Sequence, residues 1–351
     1  MKLLSIIIPT YNMEHLLSSC LDSLVLSSAA TSLDVVVVND GSKDRSLEIA
    51  QRYAERYPSV VRVIDKPNGN YGSTINAALP TLKGAFVKIL DADDSFDCRQ
   101  IAPFTEYLSK VLGADMVVAP FTEITHKGCR TVHYNLYSRD KYNVGEIYKI
   151  DDILSQNKIQ FFMMHSIAYR TELMQQIGYR QTEGVSYTDQ QWCFFPIFFV
   201  ESIAFSDIAL YRYNLTREGQ TMDAQVQLRS IGQMTAVVAS LARYFAENKD
   251  KIGYVRRKFL EGVVMRRMQG VLRKYLLEMD EATFSAEEFN HTLSIFDAIA
   301  PQPLSVPVNN RLNIDLLNRW RVHGTRYPMW YLKVLRFIDS TLVGIYRCLF
   351  G

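Results

Sequence analysis

Ala85-Phe86-Val87-Lys88-Ile89-Leu90-Asp91-Ala92-Asp93-Asp94 passes from an apolar run directly into three carboxylates. Such a run reads as a strand buried in a sheet, and it delivers Asp91 and Asp93, one residue apart, to its carboxyl end. Hard divalent cations prefer oxygen ligands and are often shared between one or two carboxylates and phosphate oxygens. The pair is therefore a candidate for holding Mg²⁺ or Mn²⁺ against a diphosphate. Asp-x-Asp on its own is also ordinary solvated-turn chemistry, so its meaning rests on what precedes it.

What precedes it alternates between strands and helices. Leu3 to Ile8 is a short apolar run closed by Pro9-Thr10-Tyr11-Asn12, and Leu16, Leu17, Cys20, Leu21 and Leu24 follow at helical spacing. Val35 to Val38 is a second buried strand ending in Asn39-Asp40-Gly41-Ser42. Ser42 or Asp44 can cap the next helix, along which Leu47, Ile49, Ala50 and Tyr53 are periodic. Val60 to Ile64 is a third strand, and the loop Lys66–Gly72 leads to a helix through Ile75, Ala78 and Leu79. This alternation predicts a parallel sheet with right-handed crossovers, and such sheets bind ligands beyond the carboxyl ends of their strands. The polar clusters at 9–12, 39–42, 68–72 and 91–94 each follow a strand, so they are expected to converge on one edge.

Ser5-Ile6-Ile7-Ile8-Pro9-Thr10-Tyr11-Asn12, then Val38-Asn39-Asp40-Gly41-Ser42-Lys43-Asp44, then Asp91-Ala92-Asp93-Asp94 resemble, in this order and spacing, the start of a family 2 glycosyltransferase of the GT-A fold. These motifs cover roughly residues 1–125. A second block resembles bacterial members that build surface polysaccharides: His165-Ser166-Ile167-Ala168-Tyr169-Arg170-Thr171, Tyr187-Thr188-Asp189-Gln190-Gln191-Trp192, and Tyr211-Arg212-Tyr213 followed by Arg217-Glu218-Gly219-Gln220-Thr221. It carries the resemblance to about residue 225. The implied fold is α/β, a mostly parallel central sheet flanked by helices, with an α-helical C-terminal region. The expected organisation is a catalytic domain over 1–222, its nucleotide-binding half at 1–125 and acceptor half at 126–222, then a helical region over 223–351.

The resemblance also implies roles. Pro9, Thr10, Tyr11 and Asn12 line the nucleotide pocket, and Asp40 accepts the uracil ring N–H, which suits an acceptor-only carboxylate. Asn70, Gly72 and Ser73 approach the sugar or ribose, although Asn68–Gly72 matches the family loop only loosely. Asp93 is the usual metal ligand, and Asp91, with Ala92 between them, holds the ribose or a metal-bound water. The bound Mn²⁺ or Mg²⁺ neutralises charge on the leaving nucleoside diphosphate. Asp94 caps the next helix or has another role. Asp189 is the general base for the acceptor hydroxyl, Thr188 standing where the family often has Glu. Asp189 also reads as a helix N-cap, and the two roles are compatible. His165, in an apolar stretch, is either a satisfied core residue or a contact to acceptor or diphosphate. Arg217, Gln220 and Thr221 belong to a loop over the diphosphate, or to an ordinary loop.

Composition excludes more than it assigns. An apolar content of 48% supports a full core, and a net charge of +2 gives no reason to invoke nucleic acid. Five widely spaced Cys without a CxxC pair argue against a disulfide framework or a zinc site. Met1-Lys2-Leu3-Leu4 leads straight into a strand with no signal-peptide pattern, and no apolar run has transmembrane length, so the expected location is cytoplasmic or peripheral at the inner membrane face. GxGxxG and GxxxxGK[ST] are missing, which speaks against dinucleotide enzymes and P-loop NTPases. A nucleotidyltransferase on a similar scaffold usually has a Gly-rich basic loop where Pro9–Asn12 stands. A non-catalytic nucleotide-sugar-binding module would tolerate loss of Asp93 or Asp189, and both are present.

After about Met222 the pattern is helical, with long amphipathic segments at Val226–Ala246 and Val255–Leu277, a shorter one at Phe284–Ile299, and a linker at Pro301–Pro307. The last segment carries Leu332, Leu335, Ile338, Leu342, Ile345 and Leu349 at spacings of three and four. That stripe can pack internally, join a second copy, or lie on a membrane beside Trp320, Trp330 and Arg326. Its place beyond every motif predicts an anchor near a glycan or lipid-linked acceptor.

Overall fold

The apolar runs become strands of one sheet. The computed structural model describes all residues except 134–141, 158, 218–223, 305–310 and 351; of 224 and 340–350 it describes the backbone alone. The described chain divides into two units, Met1–Glu218 and Gly219–Gly351.

The first unit opens with β1 (Leu4–Thr10), α1 (Leu17–Val25), β2 (Leu33–Asp40), α2 (Ser46–Arg56), β3 (Val61–Lys66), α3 (Asn70–Ala78) and β4 (Phe86–Ile89). β3, β2, β1 and β4 pair in that order, all parallel, in registers that set Ile7 against both Val36 and Ile89. Every residue of β2 is buried, as a strand covered by helices on both faces requires. α2 starts one residue later than a cap at Asp44 implies. Arg45 holds the N-cap position without a side-chain bond, while the Asp44 carboxylate accepts the Ser46 N–H at 2.9 Å.

One buried acid sits at the opposite, amino-terminal edge of these strands. Asp34 accepts from Ser5 Oγ at 2.7 Å, Arg62 Nε at 2.9 Å and the Lys83 N–H at 2.9 Å. Gly84 follows, and a Cβ there would lie 2.4 Å from the Ser5 backbone nitrogen, so only glycine lets the chain enter β4 this close to β1.

The chain continues with β5 (Ser95–Phe96), α4 (Cys98–Lys110), β6 (Met116–Val118), β7 (Phe121–Thr125), β8 (Gly128–Val132), β9 (Ile147–Lys149), α5 (Ile150–Ser155), β10 (Ile167–Arg170), α6 (Thr171–Gln176), α7 (Asp189–Trp192), β11 (Ser202–Phe205) and β12 (Tyr211–Asn214). The large sheet runs β3-β2-β1-β4-β10-β6-β11-β9, and β5-β12-β7-β8 form a smaller one. β10 lies antiparallel to both β4 and β6, which breaks the all-parallel continuation that strand–helix alternation alone predicts. The smaller sheet brings β12 beside β5, immediately after the carboxylate cluster.

Described by itself, the second unit is helical: α8 (Ala224–Arg229), α9 (Ile231–Asn248), α10 (Tyr254–Arg273), α11 (Ala286–Ile299), α12 (Arg311–His323) and α13 (Met329–Phe350). The first long helix expected from periodicity is divided at Ser230, which becomes the N-cap of α9. α11 starts after Ser285, whose side chain accepts the Glu288 N–H, as an N-cap serine does. Trp320, expected near a membrane, is buried. Its ring meets Phe289 edge-on at 5.0 Å and its Nε1 donates to Asn290 Oδ1 at 3.0 Å. Leu332 is buried too, so the C-terminal stripe begins as core, while Leu342, Ile345 and Leu349 lie outside the described side chains.

Candidate active site

The expected nucleotide edge forms from loops that clasp one another. At the end of β2 the buried Asp40 accepts through Oδ1 from Lys66 Nζ at 2.7 Å, the Gly69 N–H at 3.0 Å and Ser73 Oγ at 3.3 Å. Asn68 Nδ2 donates to the Asp40 carbonyl at 2.9 Å, so the 66–72 loop is fastened to this carboxylate. Across from it, Pro9 pairs with Val38 near the end of β1, and Thr10 is buried with its hydroxyl on the Ile8 carbonyl. The Tyr11 ring is exposed. Asn12 takes φ 53°, donates its N–H to Ser42 Oγ at 3.1 Å and accepts the Lys43 N–H at 2.8 Å, a conformation asparagine tolerates better than most residues.

Three carboxylates follow β4, each held differently. Asp91 accepts from the Tyr71 hydroxyl at 2.8 Å. Asp93 takes Nε at 3.0 Å and Nη2 at 2.8 Å from Arg217, so the arginine expected on phosphate oxygens forks onto the expected metal ligand. Asp94 does not cap the following helix, a role Asp97 fills by accepting the Arg99 N–H. It receives instead the Tyr211 hydroxyl at 2.6 Å and the Asn214 N–H at 2.7 Å, both from β12. Burial, with the like charge of Asp93, raises the Asp91 carboxyl above its ordinary range; burial, with the charge of Asp91, does the same to Asp94.

His165 enters from the turn before β10. Its ring stacks on Tyr213 at 4.1 Å and meets Tyr211 edge-on at 4.8 Å. Burial, with the nearby charge of Lys88, lowers its pKa to about 3, so it is neutral. Its Nδ1 is buried without a hydrogen-bond partner, while ligand atoms of Asp91, Asp94 and His165 lie within 4.8 Å of one another. A half-buried and a buried carboxylate repelling each other beside an orphaned imidazole nitrogen are a donor set that a divalent cation fits. Lys88, fully buried on β4, donates through Nζ to the His165 carbonyl at 2.6 Å and the Ile167 carbonyl at 3.0 Å.

Asp189 is the first residue of α7, and the N-cap position belongs to Thr188, which makes no capping bond. The cap reading of Asp189 is thereby corrected to a first-turn carboxylate. Tyr187, two residues earlier, takes φ 66°, a left-handed conformation that costs energy for a bulky residue. Burial is the main cause of the raised Asp91 and Tyr71 pKa values, but the charge of Asp189 adds to both, placing it within electrostatic reach of the carboxylate loop.

The segment before α7 is clamped to α3. Asn76 and Gln181 exchange bonds of 2.9 and 2.8 Å, Gly184 N–H donates to the Gly69 carbonyl at 2.9 Å, and Gln191 bonds Thr182 twice at 2.8 Å. A Cβ on Gly72 would stand 2.2 Å from the Thr182 carbonyl oxygen. Expected beside sugar or ribose, Gly72 is buried in this clamp, and Ser73 is buried against Asp40 and the Asn70 carbonyl. Asn70 opens α3 at φ 65°. Gln220 and Thr221 lie outside the described residues. Tyr71, Lys88, Tyr211 and the Asn76–Gln181–Gln191 clamp were not read from the sequence. Lys88 carried a signal as the lone charge inside an apolar strand, and Tyr211 and Gln191 stood inside the quoted motifs without a role of their own.

The sequence profile of "Glycosyl transferase family 2" matches residues 5–178. This stretch is a family 2 glycosyltransferase domain. EpsJ of Bacillus subtilis, an uncharacterized glycosyltransferase, is 38% identical over 104 residues, 30% of this chain and 30% of its own length. Chondroitin synthase of Pasteurella multocida is 40% identical over 92 residues, 26% of this chain and 9% of its own. The chain thus spans less than a third of either relative's length. Among solved structures, S. aureus TarS 1–349 in complex with UDP-GlcNAc superposes with a TM-score of 0.53 at 19% identity, over 93% of each chain. At that identity the likeness is one of fold.

Proposed function

We propose that this protein is an inverting glycosyltransferase that moves a sugar from a UDP-sugar to a hydroxyl of a glycan or lipid-linked acceptor. The observation that carries the reading is the carboxylate loop after β4, with Asp91, Asp94 and His165 in ligand range of one another and the Asp189 charge felt at Asp91. The family, the UDP-GlcNAc named for TarS and the polysaccharide named for chondroitin synthase support the substrate classes.

In this reading Tyr11 lies along the base and Asp40 accepts the uracil N–H through Oδ2, since its described contacts all fall on Oδ1. Asp91, with Asp93, Asp94 and His165 around it, would hold Mn²⁺ or Mg²⁺. That ion, when bound, neutralises charge developing on the departing nucleoside diphosphate. Arg217, held beside the loop by Asp93, adds a planar cation able to grip phosphate oxygens in pairs. Asp189 takes the proton from the acceptor hydroxyl as that oxygen attacks the anomeric carbon. One base and direct attack make a single displacement, so the anomeric configuration inverts.

The test is incubation with a panel of nucleotide sugars and Mn²⁺, with product anomer read by NMR. Donor hydrolysis or transfer with inversion supports the proposal. Retention would remove the inverting mechanism, pyrophosphate release from nucleoside triphosphates would indicate a nucleotidyltransferase, and binding without turnover a non-catalytic module.

A further inference from the structure

We propose that Tyr71 is the positioning residue of the candidate cation site, fixing the orientation in which Asp91 meets Mn²⁺ or Mg²⁺. This rests on the transferase reading and deepens it, by naming what sets metal affinity at that same site. Among the described residues, the Tyr71 hydroxyl is the one donor to the Asp91 side chain, at 2.8 Å on Oδ1. Asp94 is held differently, with Tyr211 on one oxygen and the Asn214 N–H on the other. An aspartate carboxylate turns about a broad, roughly two-fold torsion. Anchored at both oxygens it is fixed, and anchored at one it takes its orientation from that single partner. The orientation of Asp91 is therefore set from α3, although its backbone belongs to the loop after β4.

The backbone that delivers this hydroxyl is locked on both sides. Ahead of Tyr71, the Gly69 N–H donates to Asp40 Oδ1 at 3.0 Å, the Gly69 carbonyl accepts the Gly184 N–H at 2.9 Å, and Asn70 turns into α3 at φ 65°. Behind it, Ser73 Oγ donates to the Asn70 carbonyl and Thr74 Oγ1 to the Tyr71 carbonyl, each at 2.6 Å. The half-buried ring thus reaches Asp91 from a fixed turn. Met164 Sδ lies 3.2 Å from the same hydroxyl, but a phenol has one proton, and an ionised carboxylate accepts it far better than a thioether. The loop 68–72 matches the family only loosely, and the resemblance gives Tyr71 no role. Carboxylates that ligate metals are themselves oriented by hydrogen bonds, and losing such a partner typically costs about 10–100-fold in metal affinity.

The test measures UDP affinity of the full chain by calorimetry at rising Mn²⁺. The Mn²⁺ concentration at half-maximal enhancement reports metal affinity without any turnover. Tyr71→Phe keeps the ring and removes only the hydroxyl. Its midpoint is expected to rise about 10–100-fold, while UDP affinity at saturating Mn²⁺ returns to within a few-fold of the parent. That recovery separates a misdirected ligand from a damaged fold. Tyr53→Phe is the control, because it removes a bond of the same kind, from Tyr53 to Asp22 Oδ1 at 2.7 Å between α2 and α1, and its midpoint should match the parent's. An unmoved midpoint in Tyr71→Phe, or an equal rise in both variants, would overturn the inference and leave the transferase reading standing. UDP affinity lowered alike at every Mn²⁺ concentration would also overturn it, by placing Tyr71 on the nucleotide or in the fold alone. A parent whose UDP affinity ignores Mn²⁺ would instead remove the cation from the transferase reading, and this inference with it.

Discussion

Asp189 and Asp93 carry opposite duties, and their substitutions separate the two. Asp189→Asn removes the base but leaves donor contacts alone, so UDP affinity should stay within a few-fold while turnover falls by about 10²–10⁴-fold. Calorimetry beside steady-state kinetics checks this, and a matching loss of UDP affinity would move Asp189 to the donor side. Asp93→Asn leaves Arg217 without its partner and removes a carboxylate from the loop at once. Its expected signature is a turnover loss of about 10²-fold or more that extra Mn²⁺ does not fully restore. Lys88 matters differently, because its two bonds hold the carbonyls on either side of the His165 turn. Buried, with its pKa lowered by burial to about 7, it stands in the strand as a brace for that turn.

At the scale of elements, two contacts tie strands and helices together and each can be tested. The Asp34 cluster joins β1, β2, β3 and the entry to β4. Burial by itself would raise the Asp34 pKa, but hydrogen bonds from Arg62, Ser5 and the Lys83 N–H outweigh it and the pKa is lowered. A folded pKa below the unfolded value means stability that is present above about pH 4 and lost as pH falls through the folded pKa. Asp34→Ala should therefore cost about 2–4 kcal/mol in urea melts at pH 7, and the gap from the parent should shrink below pH 4. A constant gap would mean that the charge is immaterial. Gly72→Ala tests the clamp between α3 and the segment before α7, where the added methyl meets Thr182 oxygen at 2.2 Å. Overpacking of about 1–3 kcal/mol is expected, with transfer falling more than UDP binding because the displaced segment leads to Asp189. An unchanged Tm would show that the loop yields freely.

For the molecule as a whole, UDP binding should depend on a divalent cation, and equal affinity with and without EDTA by calorimetry would argue against a metal bridge. The helical unit is expected to contribute to stability rather than to chemistry, since Trp320, Phe289 and Leu332 form part of its own buried interior. The sequence alone determined the four parallel strands β1 to β4, though not their order, because uninterrupted apolar runs and helical spacing report local burial that needs no knowledge of distant residues. It also determined that Asp40 and the Asp91–Asp94 cluster follow strands, and so share one edge. It did not determine what those acids touch. Tyr211 reaches Asp94 across 117 residues and Arg217 reaches Asp93 across 124, and such pairings follow from β12 joining β5, which no local period encodes. The reversal of β10 and the burial of Trp320 were likewise decided by tertiary structure. A strand's direction and a helix's buried face depend on which neighbour covers them, and periodicity names a face without naming the element that packs against it.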